Sequence, residues 1–193
     1  MDSGQSRQRR PRADARRNYE RLLAEADAAF RAHGTDAPLE TIARQAGLAI
    51  GTLYGHFPTR RTLVAALLRE RNDALFQLGD GLLAEPSELL ALTGWMRAAT
   101  RHAAAYQGLA SMLADGAGDE RSELHASCVR MAGFTQKLTE RARDAGIIRP
   151  AVTAADVSAL ISAAAWSAER TTAEDADRLL DLAFSGLREP AGR

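Results

Sequence analysis

The stretch Leu39–Leu63, LETIARQAGLAIGTLYGHFPTRRTL, limits what this chain can become more than any other. Leu39, Ile42, Ala43 and Ala46 recur at helical spacing and share one face. Gly47 follows, where a helix end favours a residue that tolerates positive φ. A second short pattern, Ile50–His56, sets Leu53 and Phe57 four apart, and Pro58 stops it. Two helices of about two turns each, joined by a glycine turn, predict a helix-turn-helix, whose second helix enters the DNA major groove.

The outline alone is generic, because any two packed helices produce it. The residue string is more specific. Gly51-Thr52-Leu53-Tyr54-Gly55-His56-Phe57, followed by Arg60 and Leu63, resembles the signature of the tetracycline-repressor (TetR) family of bacterial transcription regulators. The resemblance is firm over roughly residues 15–65 and rests on length and helix order beyond them.

Charge distribution agrees with a nucleic-acid role, although the net charge of the 193 residues is zero. Residues 1–68 carry 11 Arg and 7 Asp+Glu, and the remaining residues carry the balancing acidic excess. The basic half is the half with the helix-turn-helix. Hydrophobic residues make up 46% of the chain, enough for a packed core. No apolar run reaches the roughly 18 residues of a membrane span, and residues 1–17 lack the apolar segment of a secretory signal. Cys128 is the single cysteine, so no intrachain disulfide forms. A cytoplasmic protein is expected.

In chain order, residues 1–14 read as a polar, flexible arm, with Arg9, Arg10 and Arg12 placed to reach phosphates or the minor groove. Arg16–His33 is the first strong helix, with Tyr19, Leu22, Leu23, Ala26 and Phe30 in one stripe backing the helix-turn-helix. After Pro58 a helix starts near Thr59, a suitable N-cap, and runs to about Gly79–Gly81. A domain boundary near residue 68 separates a DNA-binding domain, 1–68, from a helical domain, 69–193. Further helices follow after Glu85-Pro86, over Gln107–Ala114, up to Gly146, and after Thr153 and Thr172, with Gly116–Glu120 as a loop. Thr153 with Asp156, and Thr172 with Asp175, resemble capping boxes. The sum is an all-α chain of about nine helices and no strand, the helix inventory of the TetR family.

A helix in the groove presents its N-terminal side chains to base edges. Here those are Ala49, Ile50, Gly51 and Thr52. Ala49 and Ile50 offer only apolar contact, for instance to a thymine methyl. Family members often carry a hydroxyl residue where Ala49 stands. Gly51 lets the backbone approach DNA closely, and Gly55 either does the same or is a neutral surface glycine. Thr52, Tyr54, His56 and Arg60 match family positions that bind phosphate, and their hydroxyl, imidazole and guanidinium groups are phosphate donors. Thr41 adds a hydroxyl. With so few polar base readers, binding leans on phosphates, which makes it salt-dependent. One module covers few base pairs, so a two-fold homodimer on an inverted repeat of double-stranded DNA is expected.

The resemblance implies that the last two helices join a four-helix bundle between subunits. Val157, Leu160, Ile161 and Ala164 on the first, with Leu179, Leu180 and Ala183 on the second, are the expected interface. The alternative is that these faces close the monomer's own core. The middle helices carry Trp95, Met96, His102, Tyr106 and Met112, then Cys128, Met131, Phe134 and, later, Trp166. Such a set suits an apolar pocket for a small-molecule effector, which the family usually has among these helices, and it equally suits ordinary core. His125 and Cys128 lie three apart, too few ligands for a structural zinc. No metal, cofactor or membrane partner is expected.

Three functions fit this pattern. The first is a repressor released from its operator by a small apolar or aromatic ligand. The second is a DNA-binding regulator with no effector. The third is an all-helical enzyme using His102 or His125 with Cys128; it lacks an orienting partner and an oxyanion site, so the chain is read as a non-enzyme.

Overall fold

Nine α-helices and no strand form among the described residues, which in this computed structural model are 5–114 and 123–188. They are α1 (Gln5–His33), α2 (Leu39–Gln45), α3 (Ile50–His56), α4 (Arg60–Leu83) and α5 (Glu88–Ala103), then α6 (Leu109–Ala114), α7 (Glu123–Asp144), α8 (Ala154–Ala168) and α9 (Ala173–Leu187). The expected all-α class is therefore observed. The backbone divides between Leu68 and Arg69 into two compact units.

In the first unit α1 is longer than its apolar stripe. The periodicity predicts a start at Arg16, whereas the helix begins at Gln5. Most of the added residues are Gln, Arg and Ala, which have high helix propensity, although Pro11, also among the added residues, does not, and a stripe-based reading is blind to a helical segment with no apolar face. The side chains of Arg9, Arg10 and Arg12 lie outside the described residues, as does the Gly116–Glu120 loop. Leu22, Ala26 and Phe30 are fully buried, and so are Ile42, Leu53, Leu63 and Val64 from the next three helices. One small core thus holds α2, α3 and the start of α4 on α1. Thr59 caps α4 reciprocally with Thr62: each hydroxyl accepts the other's backbone N–H at 3.1 Å.

The second unit has its core between α5, α7, α8 and α9, with the end of α4 added. Trp95, fully buried on α5, packs at 5.1 Å from Phe134 of α7, which stacks at 6.2 Å on Phe76 of α4. The Trp95 indole N–H donates to Thr135 Oγ1 at 2.9 Å, satisfying a donor that burial would otherwise orphan. Arg141 of α7 serves the end of α4: Nη1 donates to the Leu83 carbonyl at 2.7 Å and Nη2 to that of Glu85 at 2.9 Å. Those carbonyls have no partner within the helix, so the contact is both a cap and a tertiary tie. Thr153 and Asp156 form a full capping box on α8, and the paired hydrogen bonds hold the Asp156 carboxyl below the usual range. Thr172 caps α9 through the Asp175 N–H.

Gly79 and Gly133 separate two effects of glycine in a helix. A Cβ at Gly79 would lie 2.8 Å from the Phe134 ring, whereas one at Gly133 would meet nothing within 4 Å. Gly79→Ala should destabilise the protein by about 1–3 kcal/mol through overpacking. Gly133→Ala should stabilise it by up to about 1 kcal/mol through helix propensity. Urea melts of both variants check the opposite signs.

Candidate nucleic-acid interface and internal cavity

The turn between α2 and α3 sets the aim of α3. Gly47 takes φ +66, its N–H donates to Arg44 O at 3.0 Å, and the Leu48 N–H donates to Ala43 O at 2.9 Å. This pair of bonds is a Schellman ending, and it requires left-handed backbone that a side chain resists. A Cβ here would also lie 2.7 Å from Arg21 Nη2, so a side chain would push the end of that arginine aside. Arg21 of α1 donates to the Ala46 carbonyl, placing a cation at the C-terminal end of α2. Nothing in its local sequence separates Arg21 from the solvated arginines of α1.

With Leu53 and Phe57 buried, α3 turns Gly51, Tyr54 and Gly55 outward. These positions, spaced i, i+3, i+4, form one exposed strip. Tyr54 is 45% exposed, so its hydroxyl reaches solvent. A Cβ at Gly51 or Gly55 would meet nothing within 4 Å, so neither glycine is required by packing within the chain. Ala49, in extended backbone, is the exposed N-cap, and Ile50 and Thr52 are half-buried beside it. His56 is half-buried against the edge of Tyr19, with ring centroids 6.0 Å apart, and Tyr19 also packs at 5.1 Å on Phe57. Tyr19 therefore packs beside the candidate site, against the imidazole, although its stripe marked it only as core. Thr41 is half-buried on α2, and its hydroxyl lies 3.4 Å from Arg44 Nη2.

Arg60 is placed differently from its neighbours in the motif. Its Nη1 donates to the carbonyls of Thr35 at 2.5 Å and Ala37 at 2.6 Å, so the guanidinium braces the α1–α2 turn. Its expected phosphate role is thus joined to a structural one that the sequence concealed, since both acceptors are backbone atoms some two dozen residues away.

In the second unit a cavity of about 340 Å³ opens among α5, α6, α7 and α8. Of the expected pocket residues, Trp95, Cys128 and Met131 line it. His102, Tyr106 and Phe134 are buried away from the wall, Met112 is half-buried off it, and Trp166 is 53% exposed. The remaining walls are largely small: Ala99 and Ala103 on α5, Ala110 on α6, and Ser158, Ala159 and Ser162 on α8. Space exists because those side chains are short, a signal visible in the sequence as small residues at i, i+4 but unreadable without knowing that they converge. The start of α6 is held by Glu169, whose carboxylate is 1% exposed and accepts N–H bonds from Gly108 at 3.0 Å and Ala110 at 3.1 Å. Sequence reasoning passed over Glu169, since its setting after α8 reads as a solvated turn.

The expected interface residues divide. Val157, Ile161, Ala164 and Leu180 lie in the core of the chain itself, because α8 and α9 use those faces on α5 and α7. Leu160 and Ala183 are half-buried, and Leu179 is 40% exposed. Leu179 is joined, among the exposed large apolar side chains of α8 and α9, by Leu182 at 68% exposure and Trp166, over which the Arg170 guanidinium stacks at 4.0 Å from the ring centroid.

Comparison with known proteins covers both units. Residues 22–67 match the family described as bacterial regulatory proteins, tetR family, and residues 85–189 match the C-terminal domain of SbtR-like transcriptional regulators. A solved TetR transcriptional regulator from Streptomyces coelicolor is 36% identical, with a TM-score of 0.58, covering 90% of this chain and 99% of that one. A TetR transcription regulatory protein from Mycobacterium vanbaalenii is 32% identical, with a TM-score of 0.52, covering 92% and 99%. The regulator FadR from Bacillus subtilis, solved in complex with stearoyl-CoA, shares the fold at 15% identity and a TM-score of 0.59, covering 88% and 100%. Comparison with curated proteins returned no match.

His102 sets a pH limit on the second unit. Burial, reinforced by the charge of Arg71, pushes its pKa from about 6.5 down to about 4, and its Nε2 is buried without a hydrogen-bond partner. The folded protein thus holds a neutral imidazole while the unfolded chain takes up a proton below pH 6.5. Stability present above that value should fall as pH drops from about 6.5 towards 4, by up to about 1 kcal/mol per pH unit. Chemical denaturation across this range should show the slope in the parent and a flatter one in His102→Leu.

Proposed function

This chain belongs to the TetR family of DNA-binding transcriptional regulators, and from that premise we propose that it is a repressor released from an inverted-repeat operator by a small molecule. The observation that carries the DNA side is the outward strip on α3, Gly51, Tyr54 and Gly55, braced from behind by α1. It combines backbone open to close approach with a phosphate donor at Tyr54, and Thr52 and His56 flank it. Ala49 and Ile50 supply apolar contacts to bases, so the grip rests mainly on phosphates and weakens steeply with salt. A regulator of this kind works in the cytoplasm, where the chromosome lies.

Two copies are needed for specific binding to a two-fold site. The apolar outer face of α8 and α9 supports pairing through Trp166, Leu179 and Leu182. The effector side is supported by the cavity of about 340 Å³, within the size range of small-molecule sites. It is further supported by FadR, which shares this fold and is bound to stearoyl-CoA.

Fluorescence anisotropy with the protein's own promoter region tests the DNA reading. Tyr54→Phe should weaken binding about tenfold on every sequence, the worth of one hydrogen bond to a charged group. Gly55→Ala should weaken binding while raising thermal stability, because its Cβ meets nothing inside the protein. Variants that bind as the parent does would remove α3 from the interface. The pairing reading predicts that Leu182→Glu is monomeric by sedimentation and loses affinity for the two-fold site while keeping its fold. A Leu182→Glu protein that stays dimeric rules out this face.

A further inference from the structure

The lining of the cavity carries more information than its size. Among the described residues that form the wall there is no Asp, Glu, Lys, Arg or His. Polar groups are few. The Trp95 N–H is already donated to Thr135, and the Thr135 hydroxyl donates in turn to Met131 O at 3.1 Å. The deep wall is therefore an aromatic and aliphatic surface whose polar atoms are paired with one another. Ser158 and Ser162, four apart on α8, form one hydroxyl edge. Ala132, Ala159 and Ser162 are both exposed and part of the lining, so the mouth opens between α7 and α8 beside that edge.

We infer that this cavity selects an uncharged ligand, an apolar or aryl body with one hydrogen-bonding group such as a hydroxyl or carbonyl, and rejects both anions and cations of the same body. The inference rests on the effector-responsive reading given above. An ionised group entering the cavity would leave water without a counter-charge among the described wall residues, and burial of an unpaired charge is strongly unfavourable. A neutral hydroxyl at the Ser158–Ser162 edge keeps a hydrogen bond while the body covers Trp95, Ala99 and Ile161. The paired indole and threonine add specificity of another kind, because a strong polar group placed deep in the cavity would have to break their hydrogen bond.

Full-length protein is titrated with N-phenyl-1-naphthylamine, an uncharged dye that brightens in apolar sites. The bound dye is then displaced at pH 7 by 4-butylphenol, 4-butylbenzoate or 4-butylbenzylamine, which share a body and are neutral, anionic and cationic. The phenol should displace the dye at a concentration at least about tenfold lower than either ion. Ala132→Trp and Ser162→Trp, on opposite sides of the mouth at exposed positions, should each abolish dye binding while leaving the circular dichroism melt near the parent's. Equal displacement by either ion overturns the ligand class and leaves the effector reading standing. Failure of the dye to bind, or unchanged binding in both tryptophan variants, shows that the cavity takes no ligand and removes the effector reading with it.

Discussion

The left-handed turn at Gly47 fixes the direction in which α3 leaves α2, and the exposed strip proposed to face DNA follows from it. Ala43, Arg44, Gly47 and Leu48 close the end of α2 with backbone bonds, and Arg21 closes it again from α1. A seven-residue helix such as α3 is far too short to be stable alone in water. It persists because Leu53 and Phe57 are buried, Phe57 against Tyr19 of α1, and because the turn delivers it there. The face left over is the one with Gly51, Tyr54 and Gly55. Exposure of that strip is thus a result of packing on the opposite side, and the interface has little freedom to wander.

The second unit solves a different problem, holding space inside a helical core. Interiors are close-packed, so a cavity persists only where small residues face one another and larger ones hold the helices apart. Trp95 is the large side chain on its wall, packed on Phe134 behind it, with Thr135 fixing the indole. Ala99, Ala103, Ala110 and the α8 serines leave the gap. Glu169 holds the start of α6, one of the cavity's walls, and Arg141 holds the end of α4; both cap helix ends through tertiary contacts rather than local ones. Both are charged side chains that bond backbone atoms besides pairing with a charged neighbour, Glu88 for Arg141 and Arg170 for Glu169, which ties helix placement to groups that water would otherwise solvate.

Helices were legible wherever an apolar stripe or a cap marked them. Ile50–His56 matches its helix end to end, and the Thr153 and Thr172 caps stand where their spacing put them. The start of α1 was not legible, since the segment before Arg16 is helical without being amphipathic. The cavity was legible only in part: Trp95, Cys128 and Met131 line it, yet His102 and Phe134 have the same periodicity and face the core. Residue type says that a side chain will be buried. It does not say whether it meets another side chain or empty space, because that depends on a second helix.

By itself the sequence determined the helix order, the glycine turn, the caps and the motif residues of α3, all set by neighbours within a turn or two. Tertiary structure decided what each face meets. It turned Arg60 onto the carbonyls of Thr35 and Ala37, set Tyr19 against His56, and buried the Glu169 carboxylate on the start of α6. It also drew Val157, Ile161 and Leu180 into the monomer core and left Trp166 and Leu182 outside. Local order is written in spacing, because backbone hydrogen bonds and caps act between residues a few positions apart. Contacts between distant segments arise only once the chain has packed, where burial and hydrogen-bond satisfaction are settled by all the helices together.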